Sequence, residues 1–378
     1  MSDLPPQRRA ARTAPARDAS GGGAHDASGG GARDAPGGGA HGAHDEAPAA
    51  RTREVAPGVH EVFLPLPSKP SIVNVWLLDC GDQWVLIDTG VALEASRTAF
   101  EAALRGLGLV PGDVGTVIGT HHHPDHFGAS EDLRAAGAAR FFLHPAELER
   151  IDYALSAGAE DMVRHSRRHG VPIPAGAVDA PKPSDVWARV FRPTREVDRF
   201  LEDGEVLELG TRRLEIVWTP GHTPGHCCIL DREQRVFFVG DHLLPRITPH
   251  VGVYATGPRN PLGDFLDSQE KVARLDVALV CPAHGGVYTD HRHRARQLIA
   301  HHEYRMREML DTVQAGPATA YEVARRSFRW VFEDGADRFH MGAAVMETLA
   351  HLELLAARGA IAPEERDGVV RFRAARSA

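Results

Sequence analysis

A dense group of imidazole and carboxylate side chains follows the apolar segment 113–120. His121 and His123 are two residues apart, and residues at that spacing in extended chain point to the same side, so both imidazoles can reach one ion. Asp125 and His126 follow at once and can reach a second ion nearby. Histidine and carboxylate ligands suit zinc, and they also suit iron or manganese. The spacing therefore predicts a metal site directly after a strand.

Three further candidate ligands lie far along the chain, each after an apolar stretch. His222 lies in a loop rich in Gly and Pro, Asp241 ends the run Phe-Phe-Val-Gly, and His284 follows the run Val-Cys-Pro-Ala. A dinuclear site in which three histidines hold one ion, an aspartate and two histidines hold the other, and a carboxylate bridges them needs seven groups. Seven are present. His122 alternates to the opposite face and is expected to be structural, and His226 is expected to pack or to support a ligand.

Strand and helix patterns alternate around these residues, which is typical of two sheets with helices outside. Between 144 and 200 the pattern weakens at several prolines, which indicates an irregular insertion that is either a substrate wall or a surface excursion. The predicted strands lie at 59–66, 71–80, 83–90, 113–120, 139–145, 214–222, 226–230, 235–242 and 277–285, and the predicted helices at 93–108, 129–137 and 262–275.

The two ends of the chain differ from this central part. Residues 1–52 contain an octapeptide repeated three times and are rich in Gly and Ala, which predicts a disordered tail because such residues bury too little apolar surface. From 291 the sequence predicts three helices followed by a hairpin, the order of elements in a winged-helix unit. We therefore expect a tail at 1–52, a catalytic domain at 53–290 and a winged-helix-like domain at 291–378.

The order of the motifs HxHxDH, PGHT, GD and AHG over residues 121–285 resembles the metallo-β-lactamase superfamily, especially its glyoxalase II-like hydrolases. The resemblance implies an α+β fold, an αββα sandwich, and it implies a supporting role for Asp88. The C-terminal part resembles the winged-helix appendage of β-lactamase-like protein 2, whereas glyoxalase II has a different C-terminus. By the resemblance, His121, His123 and His222 hold one metal ion, Asp125, His126 and His284 hold the second, and Asp241 bridges the two.

This ligand set predicts a hydrolase that uses a dinuclear-metal-bound hydroxide. Two ions about 3.5–4 Å apart would share a water and lower its pKa. The hydroxide would attack a carbonyl carbon or a phosphorus, and Asp125 or Asp241 would accept the proton. The cofactors expected are two zinc ions per chain, with iron or manganese as alternatives. The substrate expected is a small ester, thioester or lactone; the alternative is an endoribonuclease or phosphodiesterase like β-lactamase-like protein 2.

Charge favours the small-molecule substrate. Residues 53–290 carry 23 basic and 33 acidic residues, a net charge of −10, which disfavours a nucleic-acid partner. No run of about 20 apolar residues occurs, so no membrane span is expected. The four cysteines form no CxxC pair and are read as buried thiols of a cytoplasmic protein. The apolar stripe at 341–359 predicts packing on the catalytic domain or a homodimer interface.

Overall fold

The structure is a computed structural model, and Thr52 is the first residue that it describes. The predicted tail at 1–52 therefore lies outside the described residues apart from Thr52, which begins the first strand. The described residues are 52–138, 140–156, 159–173, 190–333 and 338–375.

The first sheet has seven strands that are neighbours in chain order. The strands are antiparallel from the first to the fourth and parallel from the fourth to the seventh, so the later strands end at the same edge. The strands are β1 Thr52–Ala56, β2 Val59–Pro65, β3 Ile72–Asp79, β4 Trp84–Ile87, β5 Val114–Ile118, β6 Arg140–Leu143 and β7 Arg199–Phe200.

Helices connect the parallel strands of this sheet. α1 (Glu94–Gly106) joins β4 to β5, while α2 (Pro124–Phe127) and α3 (Ser130–Ala135) join β5 to β6. The long connection from β6 to β7 contains α4 (Pro145–Ser156) and α5 (Ala159–Arg168). The candidate metal ligands at 121–126 thus lie between the end of β5 and the first turn of α2.

The second sheet has five strands in the order β12-β11-β10-β9-β8. All pairs are antiparallel except β11 with β12, which are parallel and are joined by α6 (Pro261–Ala273). The strands are β8 Val206–Leu209, β9 Arg212–Trp218, β10 Cys227–Asp231, β11 Val236–Gly240 and β12 Leu279–Pro282.

Alternate residues of β3 show how the layers pack. Val75 and Leu77 belong to a core shared with α1, whereas Trp76 and Leu78 belong to a core shared with the second sheet. The Trp76 ring lies 5.7 Å from the ring of Phe238 on β11, measured between centroids. A strand with a side-chain period of two that is apolar on both faces is buried on both faces. The two sheets therefore face each other with helices outside, which confirms the predicted αββα sandwich.

The C-terminal part packs on the outer face of the second sheet. Its elements confirm the predicted order of three helices and a hairpin, and its apolar residues share one continuous core with β9–β12 and α6. The described residues all belong to one compact unit. The boundary at 290 stays a prediction. The elements are α7 His291–Gln314, α8 Ala320–Ser327, α9 Arg338–Ala357, β13 Ile361–Arg366 and β14 Val369–Ala374.

The insertion at 144–200 is more regular than its sequence predicts, because α4 and α5 occupy its first part. α4 buries only Glu147 and Ile151, and α5 is polar over most of its length, so neither carries the apolar stripe by which a helix is recognised. Residues 174–189 lie outside the described part. Among the described helices, none combines the length and the apolar character that a membrane crossing requires.

Candidate metal centre

All seven candidate ligands lie at the edge of the two sheets where β5, β9, β11 and β12 end. His121 to His126 occupy the turn from β5 into α2, and His222 lies in the loop after β9. Asp241 directly follows β11, and His284 follows β12 by two residues. β11 and β12 are parallel, and β9 runs in the same direction because β9 and β11 are both antiparallel to β10. With the end of β5 in the facing sheet, these strand ends bring together residues separated by up to 163 positions.

The first group consists of His121, His123 and His222. The Nε2 atoms of His121 and His222 each lie 3.0 Å from Nδ1 of His123, and they lie 3.3 Å from each other. A tetrahedral ion with nitrogen ligands at about 2.0–2.1 Å would place those nitrogens about 3.3–3.4 Å apart. Burial, together with the neighbouring imidazoles, lowers the pKa of His121 and His123 well below its usual value, which favours the neutral form that binds metal.

The second group consists of Asp125, His126 and His284. Oδ2 of Asp125 lies 3.2 Å from Nε2 of His284 and 3.7 Å from Nε2 of His126. Burial by itself would lower the pKa of His126, but the carboxylates of Asp241, Asp125 and Asp88 outweigh burial and raise that pKa well above its usual value. The local field is therefore negative and attracts a cation.

Asp241 faces both groups with different oxygens. Its Oδ1 lies 3.4 Å from Nε2 of His126 and 3.6 Å from Nε2 of His284, and its Oδ2 lies 3.5 Å from Nε2 of His222. Within the described part, Oδ1 of Asp241 and Nε2 of His126 are buried without a hydrogen-bond partner. An orphaned buried polar atom costs about 1–3 kcal/mol. Divalent cations coordinated at this point would remove that cost, so the donor set fits the metal ions that the motifs imply.

Four of the histidines are oriented by a hydrogen bond on the ring nitrogen that faces away from the centre. This arrangement selects the tautomer and leaves Nε2 toward the centre. Asp88, which follows β4, also accepts hydrogen bonds from the backbone N and the Oγ1 of Thr120, at 2.7 and 2.9 Å. The four Nδ1 partners are Thr120 Oγ1 for His121 (3.0 Å), Asp88 Oδ2 for His126 (2.8 Å), the His250 carbonyl for His222 (2.6 Å) and the Ile72 carbonyl for His284 (2.9 Å).

Glu147 is a supporting residue that the sequence does not reveal. Its side chain on α4 is fully buried, and its Oε2 accepts hydrogen bonds from the backbone N of His122 at 2.7 Å and from Nδ1 of His122 at 2.5 Å. Its Oε1 accepts one from the backbone N of Gly225 at 2.6 Å. One carboxylate thus joins the loop of His121 and His123 to the loop of His222. A glutamate in a helix with few apolar residues gives no signal by which it could have been found.

The neighbouring histidines also support the centre. His122 contacts Glu147 and takes no place in either group, as its alternation predicts. Nδ1 of His226 lies 2.8 Å from Oγ1 of Thr219, and its Nε2 accepts the backbone N–H of Asp241 at 3.2 Å. His226 therefore fixes the backbone at the residue that faces both groups.

The C-terminal helices reach the centre through the loop after β11. Oε2 of Glu347 on α9 lies 3.4 Å from Nδ1 of His250, whose carbonyl orients His222. The same loop is held by the carbonyl of Met346, which accepts from the backbone N of Val253 at 3.2 Å. The C-terminal part therefore helps to position a candidate ligand.

Comparison with known proteins gives two family matches on this chain. A model described as "Metallo-beta-lactamase superfamily" matches residues 68–284, which include all seven candidate ligands. A model described as "Metallo-beta-lactamase-like, C-terminal domain" matches residues 306–375.

Individual relatives agree with these matches. A metallo-beta-lactamase family protein from Thermus thermophilus, of known crystal structure, shares 34% identity at a TM-score of 0.75, over 85% of this chain and 100% of that one. The probable metallo-hydrolase YqjP of Bacillus subtilis is 23% identical over 82% of this chain and 96% of that protein. The human acyl-coenzyme A thioesterase MBLAC2 is 30% identical over 44% of this chain and 57% of that protein. The chain spans 60% of the length of a fungal lactamase-like relative.

Proposed function

The chain belongs to the metallo-β-lactamase superfamily, and we propose that it is a dinuclear metal hydrolase that cleaves a small ester, thioester or lactone. Membership of this superfamily supports a hydrolase. The observation that carries the dinuclear part of the proposal is the placement of Asp241, whose two oxygens face two separate ligand groups. If Asp241 bound a single ion, only one of its oxygens would need to face a group of metal-ligating side chains.

The proposal assigns each ligand a place. Divalent ions held there supply Lewis acidity and lower the pKa of the attacking water. We propose zinc, because histidine-rich sets with carboxylates suit it, and the same donors accept iron or manganese. His121, His123 and His222 would hold one ion, Asp125, His126 and His284 would hold the other, and Asp241 would lie between them.

The two aspartates would carry the proton transfer. The Asp125 side chain is 28% exposed and that of Asp241 is 13% exposed, so Asp125 is the more open to a substrate entering from solvent. Both oxygens of Asp241 are directed at histidines. We therefore assign Asp125 as the first candidate to accept the proton from the attacking water, with Asp241 as the alternative. The buried histidines hold the geometry and exclude bulk water.

Three observations favour a small acyl substrate over RNA. The relative MBLAC2 is named as an acyl-coenzyme A thioesterase. The third C-terminal helix, α9, is apolar and largely buried along residues 344–355, so the position used by winged helices to enter a nucleic-acid groove is occupied by core packing. A net charge of −10 over residues 53–290 points the same way. We propose that the binding partner is a small-molecule substrate. We also propose that the protein is cytoplasmic.

The test is a substrate panel with metal analysis. The purified chain would be freed of metal, reloaded with zinc, iron or manganese, and assayed on thioesters, esters, lactones, a phosphodiester and short RNA beside His123→Ala. We expect metal-dependent cleavage of an ester, thioester or lactone that His123→Ala abolishes. Metal-dependent cleavage of RNA alone would overturn the substrate class, and activity without metal would overturn the mechanism.

A further inference from the structure

A groove of about 380 Å³ lies between α4 and the loop after β11. Ala146, Arg150 and Tyr153 of α4 line one side, and Pro224 and the segment 256–258 line the other. The groove is outside the metal-ligand set, and no role described so far uses it.

Two residues that line the groove are close in the chain to residues of the candidate metal centre. Pro224 follows the candidate ligand His222 by two residues. Ala146 directly precedes Glu147, whose carboxylate binds the loops that carry His121 and His222. Arg150 lies three residues beyond Glu147, about 4.5 Å along the axis of α4. The groove therefore lies beside the loop that carries His222, and a substrate bound at both places would have to span the distance between them.

Arg150 is held in a fixed orientation inside this groove. Its Nη1 donates to the carbonyl of Thr256 at 3.0 Å and to Oγ1 of Thr256 at 2.7 Å. Its guanidinium carbon lies 4.8 Å from the centroid of the Tyr153 ring. A guanidinium that is already oriented loses less rotamer entropy when it binds a ligand.

Arg150 differs from two arginines of α5 in its charge pairing. Arg164 forms an ion pair with Asp161 of the same helix, α5. Arg168, also on α5, forms an ion pair with Glu365 of the C-terminal hairpin at 2.9 Å. No carboxylate of the described residues lies within ion-pair distance of Arg150, whose polar contacts are to Thr256. Glu149 also lines the groove, but it is exposed and its charge is screened by solvent.

We propose that Arg150 binds an anionic group of the substrate, a carboxylate or a phosphate, while the scissile acyl bond lies at the metal centre. The planar fork of a guanidinium matches both groups, and the pair is charge-assisted. The substrate class is thereby narrowed to an acidic ester or thioester with its negative group remote from the reacting carbonyl. This inference rests on the proposed function and adds substrate specificity to it.

Matched acetyl thioesters test the inference. The leaving thiols would be 6-mercaptohexanoate, 6-mercaptohexyl phosphate and the neutral 6-mercaptohexanol, assayed with the zinc-loaded wild type, Arg150→Met, Arg150→Lys and the control Arg164→Met. We expect Arg150→Met to lose roughly tenfold to a hundredfold in kcat/KM on the anionic thioesters, mainly through KM, and less than about threefold on the neutral one. Arg150→Lys should fall between, and Arg164→Met should follow the wild type.

The outcomes separate the inference from the proposed function. The anionic thioester that loses more in Arg150→Met identifies the natural anion as carboxylate or phosphate. Equal losses on anionic and neutral thioesters, or no loss, would overturn the anion site and leave the hydrolase intact. If the wild type cleaved no ester, thioester or lactone, the proposed function would fail, and calorimetric titration with propane-1-sulfonate would still test the groove. Binding that Arg150→Met abolishes and Arg164→Met retains would support the site, and binding that both retain would overturn it.

Discussion

The two ligand groups of the centre differ in charge although they lie side by side. The first has three imidazoles, and burial lowers the pKa of each of them. The second contains a carboxylate, and there the negative field overcomes burial and raises the pKa of His126 and His284. An ion with neutral ligands keeps more of its charge for the substrate. We therefore expect the first group to contribute more to the rate and the second to hold its ion by charge neutralisation.

The largest effect is expected at the first group. His123→Ala removes the nitrogen that lies 3.0 Å from both partners. Loss of the Lewis acid should lower kcat by roughly a thousandfold or more, because such an ion contributes several kcal/mol. His293→Ala, an exposed histidine on α7, is the matched control and should keep wild-type kcat. Steady-state kinetics with measured metal content would check this, and a loss below tenfold would contradict it.

A smaller effect is expected at the second group. His284→Ala removes one of three ligands while Asp125 and Asp241 keep their charges. We expect kcat to fall by roughly a hundredfold and the metal content to fall from two ions per chain toward one. Elemental analysis beside kinetics measures both. If His284→Ala lost as much as His123→Ala, the proposed difference between the groups would be wrong.

Glu147 lies outside both ligand groups, and its carboxylate joins the loop of His121 to the loop of His222. Changing it tests whether the geometry of the ligand groups depends on that connection. Glu147→Gln keeps the size of the side chain but can no longer accept from His122 and Gly225 with full charge. Supporting residues of this kind contribute roughly tenfold to a hundredfold to metal affinity or activity. We expect a loss in that range in a metal titration. Glu149→Gln, on the exposed face of the same helix, should titrate like the wild type, and equal titrations for both variants would argue against the role of Glu147.

The smallest effect is expected at Glu347, and it depends on pH. Burial raises the pKa of Glu347, but its contact with His250 outweighs burial and lowers that pKa from its ordinary value. A group with a lowered pKa stabilises the fold above its unfolded value and loses this contribution as the pH falls through its folded value. Glu347→Gln should therefore lower Tm by a few degrees near pH 7, and the difference should shrink as the pH falls through the lowered pKa of Glu347. A pH-independent difference would contradict this account.

The sequence predicts the sheets, and it predicts that the seven candidate ligands lie close together, because both follow from patterns that the sequence shows. Runs such as Val114–Ile118 and Val236–Gly240 are mostly apolar, and the candidate ligands lie in the loops that follow such strands. The resemblance carried by the four motifs then predicts which loops come together. The contacts that orient the histidines can be predicted only in part. Asp88 directly follows an apolar run, so the sequence marks it as a candidate. His250 orients His222 through its backbone carbonyl, which leaves no signal in the sequence.

The insertion shows where this reasoning stops. Glu147 and Arg150 lie on a helix that buries few apolar side chains, so no periodicity marks the helix or the orientation of its residues. Their importance arises from contacts with Gly225 and Thr256, 78 and 106 positions away. Contacts of that kind are set by tertiary packing, and only the structure shows them.

The central claim is that Asp241 lies between two metal ions. Anomalous X-ray diffraction at the zinc edge, from crystals of the zinc-loaded protein, tests it most directly. The account predicts two peaks about 3.5–4 Å apart, one beside His121, His123 and His222 and one beside Asp125, His126 and His284, with an oxygen of Asp241 toward each. A single peak at full zinc loading, or two peaks that Asp241 does not join, would contradict it.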